Sequence, residues 1–128
     1  MDNEKLCKDV AEKFLGWKPH NDPEIEWRTH SCTHIAPEGG YYGIPDFFDE
    51  SWNKILRDEL AERACIVQYV TMKDGKWGHF VTLRYLENRW MSFHAGLIEM
   101  KGDSFEHALV LACAKLAEVQ PYENMAPL

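Results

Sequence analysis

Apolar side chains recur along this chain with two different periods, and the period changes where one element gives way to the next. In segment 3–15, Leu6, Cys7, Val10, Ala11 and Phe14 return at i, i+1, i+4, i+5 and i+8, which is one stripe of an amphipathic helix. Lys5, Lys8, Glu12 and Lys13 fall on the wet face. Asp2 or Asn3 can cap the start, and Gly16 can stop the helix in the left-handed conformation. Segment 46–62 repeats the pattern with Phe48, Trp52, Ile55, Leu56 and Leu60. Pro45 precedes it, and Asp46 can cap it, with Asp49 and Glu50 in the first turn where the macrodipole favours anions. Segment 104–120 is a third helix with a broad apolar face of Phe105, Ala108, Leu109, Ala112, Leu116 and Val119. Asp103 and Glu106 fit a capping box, and Pro121 ends the helix.

Between the last two helices the period shortens to two. Segment 64–72 is rich in β-formers, and Trp77 to Leu86 alternates, with His79, Val81, Leu83 and Tyr85 on one side and Phe80, Thr82 and Arg84 on the other. Asp74-Gly75 joins the two runs, because both central residues of a type I′ turn need positive φ. A second turn is expected at Leu86-Glu87-Asn88-Arg89 and a third strand over 90–100, bent at Gly96. Apolar residues on both sides of these strands suggest a sheet with both faces partly covered. The expected fold class is α+β: an antiparallel β-meander packed with three helices, αβα sandwich-like, in a single domain over 1–128 with a frayed tail at 121–128.

Segment 17–45 follows neither period. It carries four prolines (Pro19, Pro23, Pro37, Pro45) and three glycines (Gly39, Gly40, Gly43), with a weak alternation over 25–30. A long irregular loop in a compact domain is usually functional or mobile. This one concentrates Trp17, His20, Trp27, Arg28, His30, Cys32, His34, Tyr41 and Tyr42.

Composition narrows the classes. The chain has 128 residues and a formal net charge of −7. An acidic chain lacks the basic surface that a duplex nucleic-acid binder depends on. A small anionic ligand is still compatible, since it needs only local arginines or backbone N–H groups. No run approaches the roughly 20 apolar residues of a membrane span, and residues 1–5 are polar and acidic, so no membrane partner is expected. Four scattered cysteines without a CxxC pair read as free thiols of a reducing cytoplasm.

Candidate chemistry is sparse. His30, Cys32 and His34 alternate, so an extended segment would turn all three ligating groups to one side, as a metal or thiol site requires. A structural zinc needs a fourth ligand, which His20, His79 or His94 would have to supply. The competing reading is a set of solvated loop histidines. The sequence around Cys32 matches no hydrolase signature, and Glu38-Gly39-Gly40-Tyr41-Tyr42-Gly43 is neither a P-loop nor a dinucleotide fingerprint. It reads either as a flexible turn or as a lid whose tyrosines stack on a base. Arg57 and Arg63 fit helix-surface pairs with acidic neighbours, whereas Arg28 and Arg84 lie among aromatic or strand residues and can clamp a phosphate or carboxylate.

Three stretches resemble the phage αβα-sandwich domain family: 10–17 ending in Gly16-Trp17, Pro45-Asp46-Phe47-Phe48 opening a helix with Trp52, and the Ala-rich 105–116. The resemblance implies a small bacteriophage or prophage protein acting in the host bacterial cytoplasm, and it brings no catalytic residues or cofactor. By analogy with other small phage proteins, the expected function is anti-defence binding. The chain would sequester a small anionic, nucleotide-derived signal without cleaving it. Trp27, Arg28, Tyr41, Tyr42 and Arg84 are the expected ligand contacts. The alternatives are an acidic inhibitor of a host protein, steered by charge, and a metal- or thiol-dependent enzyme using His30, Cys32 and His34. A homo-oligomer is compatible with each reading.

Overall fold

The computed structural model describes residues 3–19, 33–89 and 92–122; at 87–89 and 92–94 it describes the backbone only. The chain runs α1 (Asn3–Lys13), β1 (Lys18–Pro19), β2 (His34–Ile35), β3 (Tyr41–Tyr42), α2 (Glu50–Glu62), β4 (Ile66–Lys73), β5 (Lys76–Arg89), β6 (Ser92–Gly102) and α3 (Phe105–Val119). It is an α+β fold with two antiparallel three-stranded sheets, β1-β2-β3 and β4-β5-β6.

Two helices start later than expected, α2 by three residues and α3 by one. Asp49, not Asp46, caps α2: its carboxylate accepts from the Ser51 N–H at 2.9 Å. Asp46 instead accepts from the Phe48 N–H at 3.1 Å, closing a turn before the helix. At α3 the cap is Ser104, whose hydroxyl accepts from the His107 N–H at 3.0 Å, while the Asp103 N–H donates to His107 Nδ1. Ser, Asp and Asn cap about equally well, so residue type alone does not choose between Asp46 and Asp49 or between Asp103 and Ser104. Gly16 stops α1 with φ +75°, as expected. The ring of Tyr122 lies where a Gly16 side chain would be, so residue 122 packs back against the end of α1.

The meander follows the two-residue period. Asp74 and Gly75 adopt positive φ in the β4–β5 turn. The expected second turn at 86–89 is instead strand: β5 and β6 pair without a register break from His79↔Gly102 to Arg89↔Ser92, and the junction at 90–91 lies outside the described residues. Gly96 does not bend β6. It sits opposite Tyr85, whose ring occupies the space a Gly96 side chain would need. Gly102 serves a closer approach, because a Cβ there would meet the backbone N of Ala108 at 2.5 Å.

Val81, Leu83, Tyr85 and Ile98 face the helices and are buried. Against them packs α3, which touches β5 and β6 and also α1 and α2. Its Ala108, Leu109, Val110, Ala112, Cys113, Leu116 and Ala117 are all buried, because small residues let neighbours approach from several sides. Among the described residues no helix packs on the opposite face of the meander. Ile66 (60% exposed), Val70, Leu86 and Leu97 (57% exposed) lie open there, so the expectation of two covered faces does not hold.

The region between α1 and α2 is not all loop. His34 pairs with Pro19 and with Tyr42 in the small sheet, and Ile35 pairs with Lys18 and Tyr41. Two-residue strands separated by Pro and Gly leave no period to read, so this sheet is invisible to pattern analysis. The weak strand expected over 25–30 lies outside the described residues.

Candidate functional site

Of the expected ligand contacts, the structure describes Tyr41, Tyr42 and Arg84, and it does not bring Arg84 to the two tyrosines. Trp27 and Arg28 lie outside the described residues. Tyr42 is on β3, with its ring stacked on Trp17 (centroids 4.8 Å apart, planes at 19°) and edge-on to Trp52 at 6.0 Å. Its hydroxyl donates to Glu38 at 3.3 Å, and the Glu38 charge raises the Tyr42 phenol above its ordinary pKa. Tyr41 is 44% exposed beside it. The cleft next to Tyr42, about 490 Å³, is lined by Glu38, Asp58, Glu59 and Glu62 besides Trp17 and Tyr122. No Lys or Arg lines this cleft, and Glu38 and Glu62 have no cation paired with them among the described residues, so it repels an anion. Tyr42 therefore stands in an acidic corner and serves packing between α1, α2 and the small sheet. Arg84 lies in the middle of β5 on the helix-free face, pointing away from this corner.

His34 is buried, contrary to a solvated loop histidine. Its Nδ1 lies 2.7 Å from the Thr33 hydroxyl, and its Nε2 is 3.5 Å from a Glu12 carboxylate oxygen. His30 and Cys32 lie outside the described residues. Among the described residues no group of three His, Cys, Asp or Glu side chains is arranged to hold a metal. Cys7, Cys65 and Cys113 are free thiols, each with its pKa raised by burial, which suits packing and not nucleophilic work.

A second cavity has different chemistry. It measures about 310 Å³ and lies between α2, β4 and the start of α3, lined by Glu50, Asn53, Arg57, Tyr69, Phe105 and Glu106. Its aromatic wall is built edge to face: Tyr69 meets Phe105 at 5.3 Å and 80°, and His79 meets the same ring at 5.0 Å and 89°. Asn53 fixes its floor. The side-chain amide donates to the carbonyls of Phe47 at 2.9 Å and Glu106 at 3.3 Å, tying α2 to the first turn of α3.

Arg57 supplies the positive charge. It was expected to pair along its helix, but it has no ion-pair or hydrogen-bond partner among the described residues, whereas Lys54 takes Asp58 at 3.5 Å. Burial raises the Tyr69 phenol pKa, and the Arg57 charge works against that rise, which puts the guanidinium within electrostatic reach of the ring. Among the described residues the cavity thus offers a cation without a partner, exposed ring surface and the carboxylates of Glu50 and Glu106. Arg57 on α2, Tyr69 on β4 and Phe105 on α3 are far apart in sequence, and each has an ordinary helix or strand reading by itself. Only the pairing of β4 with β5 and the packing of α2 beside α3 bring them together.

Comparison with family models, curated proteins and solved structures finds no match to this chain. The fold defines a class only: an α+β domain in which a helix layer covers one face of an antiparallel meander.

Proposed function

We propose that this chain is a non-enzymatic binding protein that sequesters a small anionic, nucleotide-like ligand in the cavity between α2, β4 and α3. The observation that carries the reading is Arg57: an exposed guanidinium without a partner among the described residues, beside the rings of Tyr69 and Phe105. Arg presents a fork of donors that matches a phosphate, and the aromatic edge gives a base a surface to lie on. Glu50 and Glu106 are acceptors for sugar hydroxyls or exocyclic amines, the role an acidic side chain plays toward a ribose. A volume of about 310 Å³ is at the lower end for small-molecule sites. It suits a mononucleotide better than a larger cofactor. The resemblance to phage αβα-sandwich proteins supplies the setting, a bacterial cytoplasm in which holding such a signal would counter host defence.

The test is native mass spectrometry and calorimetry with linear and cyclic mono- and dinucleotides. One of them binds the wild type and is recovered chemically unchanged, and Arg57→Ala weakens it by about tenfold or more, as expected for a charged hydrogen-bond donor. No nucleotide binding, equal binding by the variant, or conversion of the ligand to product would each overturn the reading.

A further inference from the structure

We propose that the helix-free face of the meander docks an acidic partner protein, one that presents an apolar surface bordered by carboxylates. This inference stands on the opposite side of the sheet from the ligand cavity and does not depend on it.

The register builds the face row by row. Ile66, Arg84 and Leu97 lie side by side across the three strands, followed by Gln68, Thr82 and Glu99, and then by Val70, Phe80 and Lys101. Ile66 and Leu97 are more than half exposed, as is Leu86 further along β5. Thr82 at the centre of the rows is buried, while Ile66 and Val70 on one outer strand and Leu97 on the other stay open. Exposed aliphatic side chains gathered on one sheet face cost solubility, and natural chains retain them chiefly where something binds. At the turn end of the same hairpin, Trp77 is 72% exposed opposite Met72, a large ring of the kind that anchors interfaces.

Charge selects the occupant. The chain carries −7 overall, yet this face is locally positive. Arg84 has no ion-pair partner among the described residues, and Lys101 rests its ammonium 5.7 Å from the Phe80 ring. Glu99, the acid of these three rows, is already paired with Lys73. The sign is inverted where the apolar surface is exposed, which is the complement of an acidic, apolar partner. A second copy fits poorly. Two such faces would oppose cation to cation, and contact with the acidic remainder of another copy would be head-to-tail and would not close. Single-stranded nucleic acid also fits poorly. It needs a series of open rings for base stacking, whereas the three rows hold one ring, Phe80, which lies against Lys101, and Trp77 stands apart at the turn end.

The experiment places photoreactive benzoylphenylalanine at position 97 of the full chain, with position 54 on exposed α2 as control, in the cells that produce the protein. The expected result is a protein crosslink from position 97 only, mapped to a segment rich in Asp or Glu and apolar residues. Its yield should fall at least tenfold in R84E/K101E and partly in the milder R84Q, with the folded state of each checked by thermal melting. The proposal is overturned by a crosslink to a second copy, to nucleic acid or to a segment without acidic excess. It is equally overturned by a yield that charge reversal leaves unchanged, or by no crosslink above the control.

Discussion

The guanidinium of Arg63 donates from Nη2 to the main-chain carbonyl of Phe14 at 2.6 Å and sits over the Phe14 ring, 4.2 Å from its centroid. The same group donates from Nη1 to the Gln120 carbonyl at 2.7 Å and from Nε to Glu59 at 2.9 Å. One buried side chain at the end of α2 thus satisfies carbonyls at the ends of α1 and α3. Helix C-termini leave carbonyls without intrahelical donors, and here a single planar fork serves two of them.

Replacing this hub should be costly. Arg63→Met keeps the volume but leaves Glu59 without its cation and two carbonyls without donors. We expect a loss of about 3–5 kcal/mol, the range seen when one partner of a buried pair is removed. Arg63→Lys should recover little, because an ammonium is a compact point charge and lacks the planar fork. Urea denaturation of the two variants measures this, and a loss below about 1 kcal/mol for Met would show that the hub is dispensable.

The residue after Arg63 offers a gain. Ala64 has φ +57°, and the Cys65 N–H closes back to the Leu60 carbonyl at 2.9 Å, the pattern of a left-handed helix stop that usually carries glycine. Left-handed backbone costs an L-residue about 1–2 kcal/mol. Ala64→Gly should therefore stabilise the fold by up to about 1 kcal/mol, visible as a higher melting temperature. An unchanged or lower melting temperature counts against strain at this stop.

Arg57 and Tyr42 should separate binding from stability. Arg57→Ala is expected to leave the melting temperature within a few degrees and to remove nucleotide binding. Tyr42→Ala should lose about 2 kcal/mol of stability, below the range of fully buried aromatic truncations, because its half-buried ring is held between Trp17 and Trp52. At a temperature where it is folded, its ligand affinity should match the wild type. Reversed outcomes would move the site to the small sheet.

Stability should fall at alkaline pH. Burial raises the thiol pKa values of Cys7, Cys65 and Cys113 in the folded state, while an unfolded thiol ionises near about 8.5. Below that pH both states hold the proton and the contribution is complete. Above it the unfolded state ionises first and stability drops, by about 1.4 kcal/mol per pH unit for each thiol that stays protonated. Urea midpoints at pH 7, 8, 9 and 10 test this, with Cys113→Ala expected to flatten the slope. A midpoint that holds constant to pH 10 would contradict it.

Periodicity alone determined the three helices and the three long strands, because a helix or strand with one buried face must repeat its apolar residues at that element's own period. The Asp74-Gly75 turn and the Gly16 stop were readable for a related reason: few residues tolerate positive φ. Tertiary structure decided the rest. Asp49 rather than Asp46 and Ser104 rather than Asp103 cap their helices, a choice that residue type leaves open because these side chains cap about equally well. The small sheet joining His34 to Tyr42 is too short to carry a period. Tyr42 had a ligand's aromatic look in sequence, yet Trp17 and Trp52 claim its ring, and the Glu38 carboxylate accepts its hydroxyl proton. Arg57 reads in sequence as half of a surface pair and instead lines a cavity, without a partner among the described residues. Its company, Tyr69 and Phe105, arrives from strands and helices that meet only in the folded chain. A sequence states what each residue prefers along one dimension, while a site is a coincidence in three.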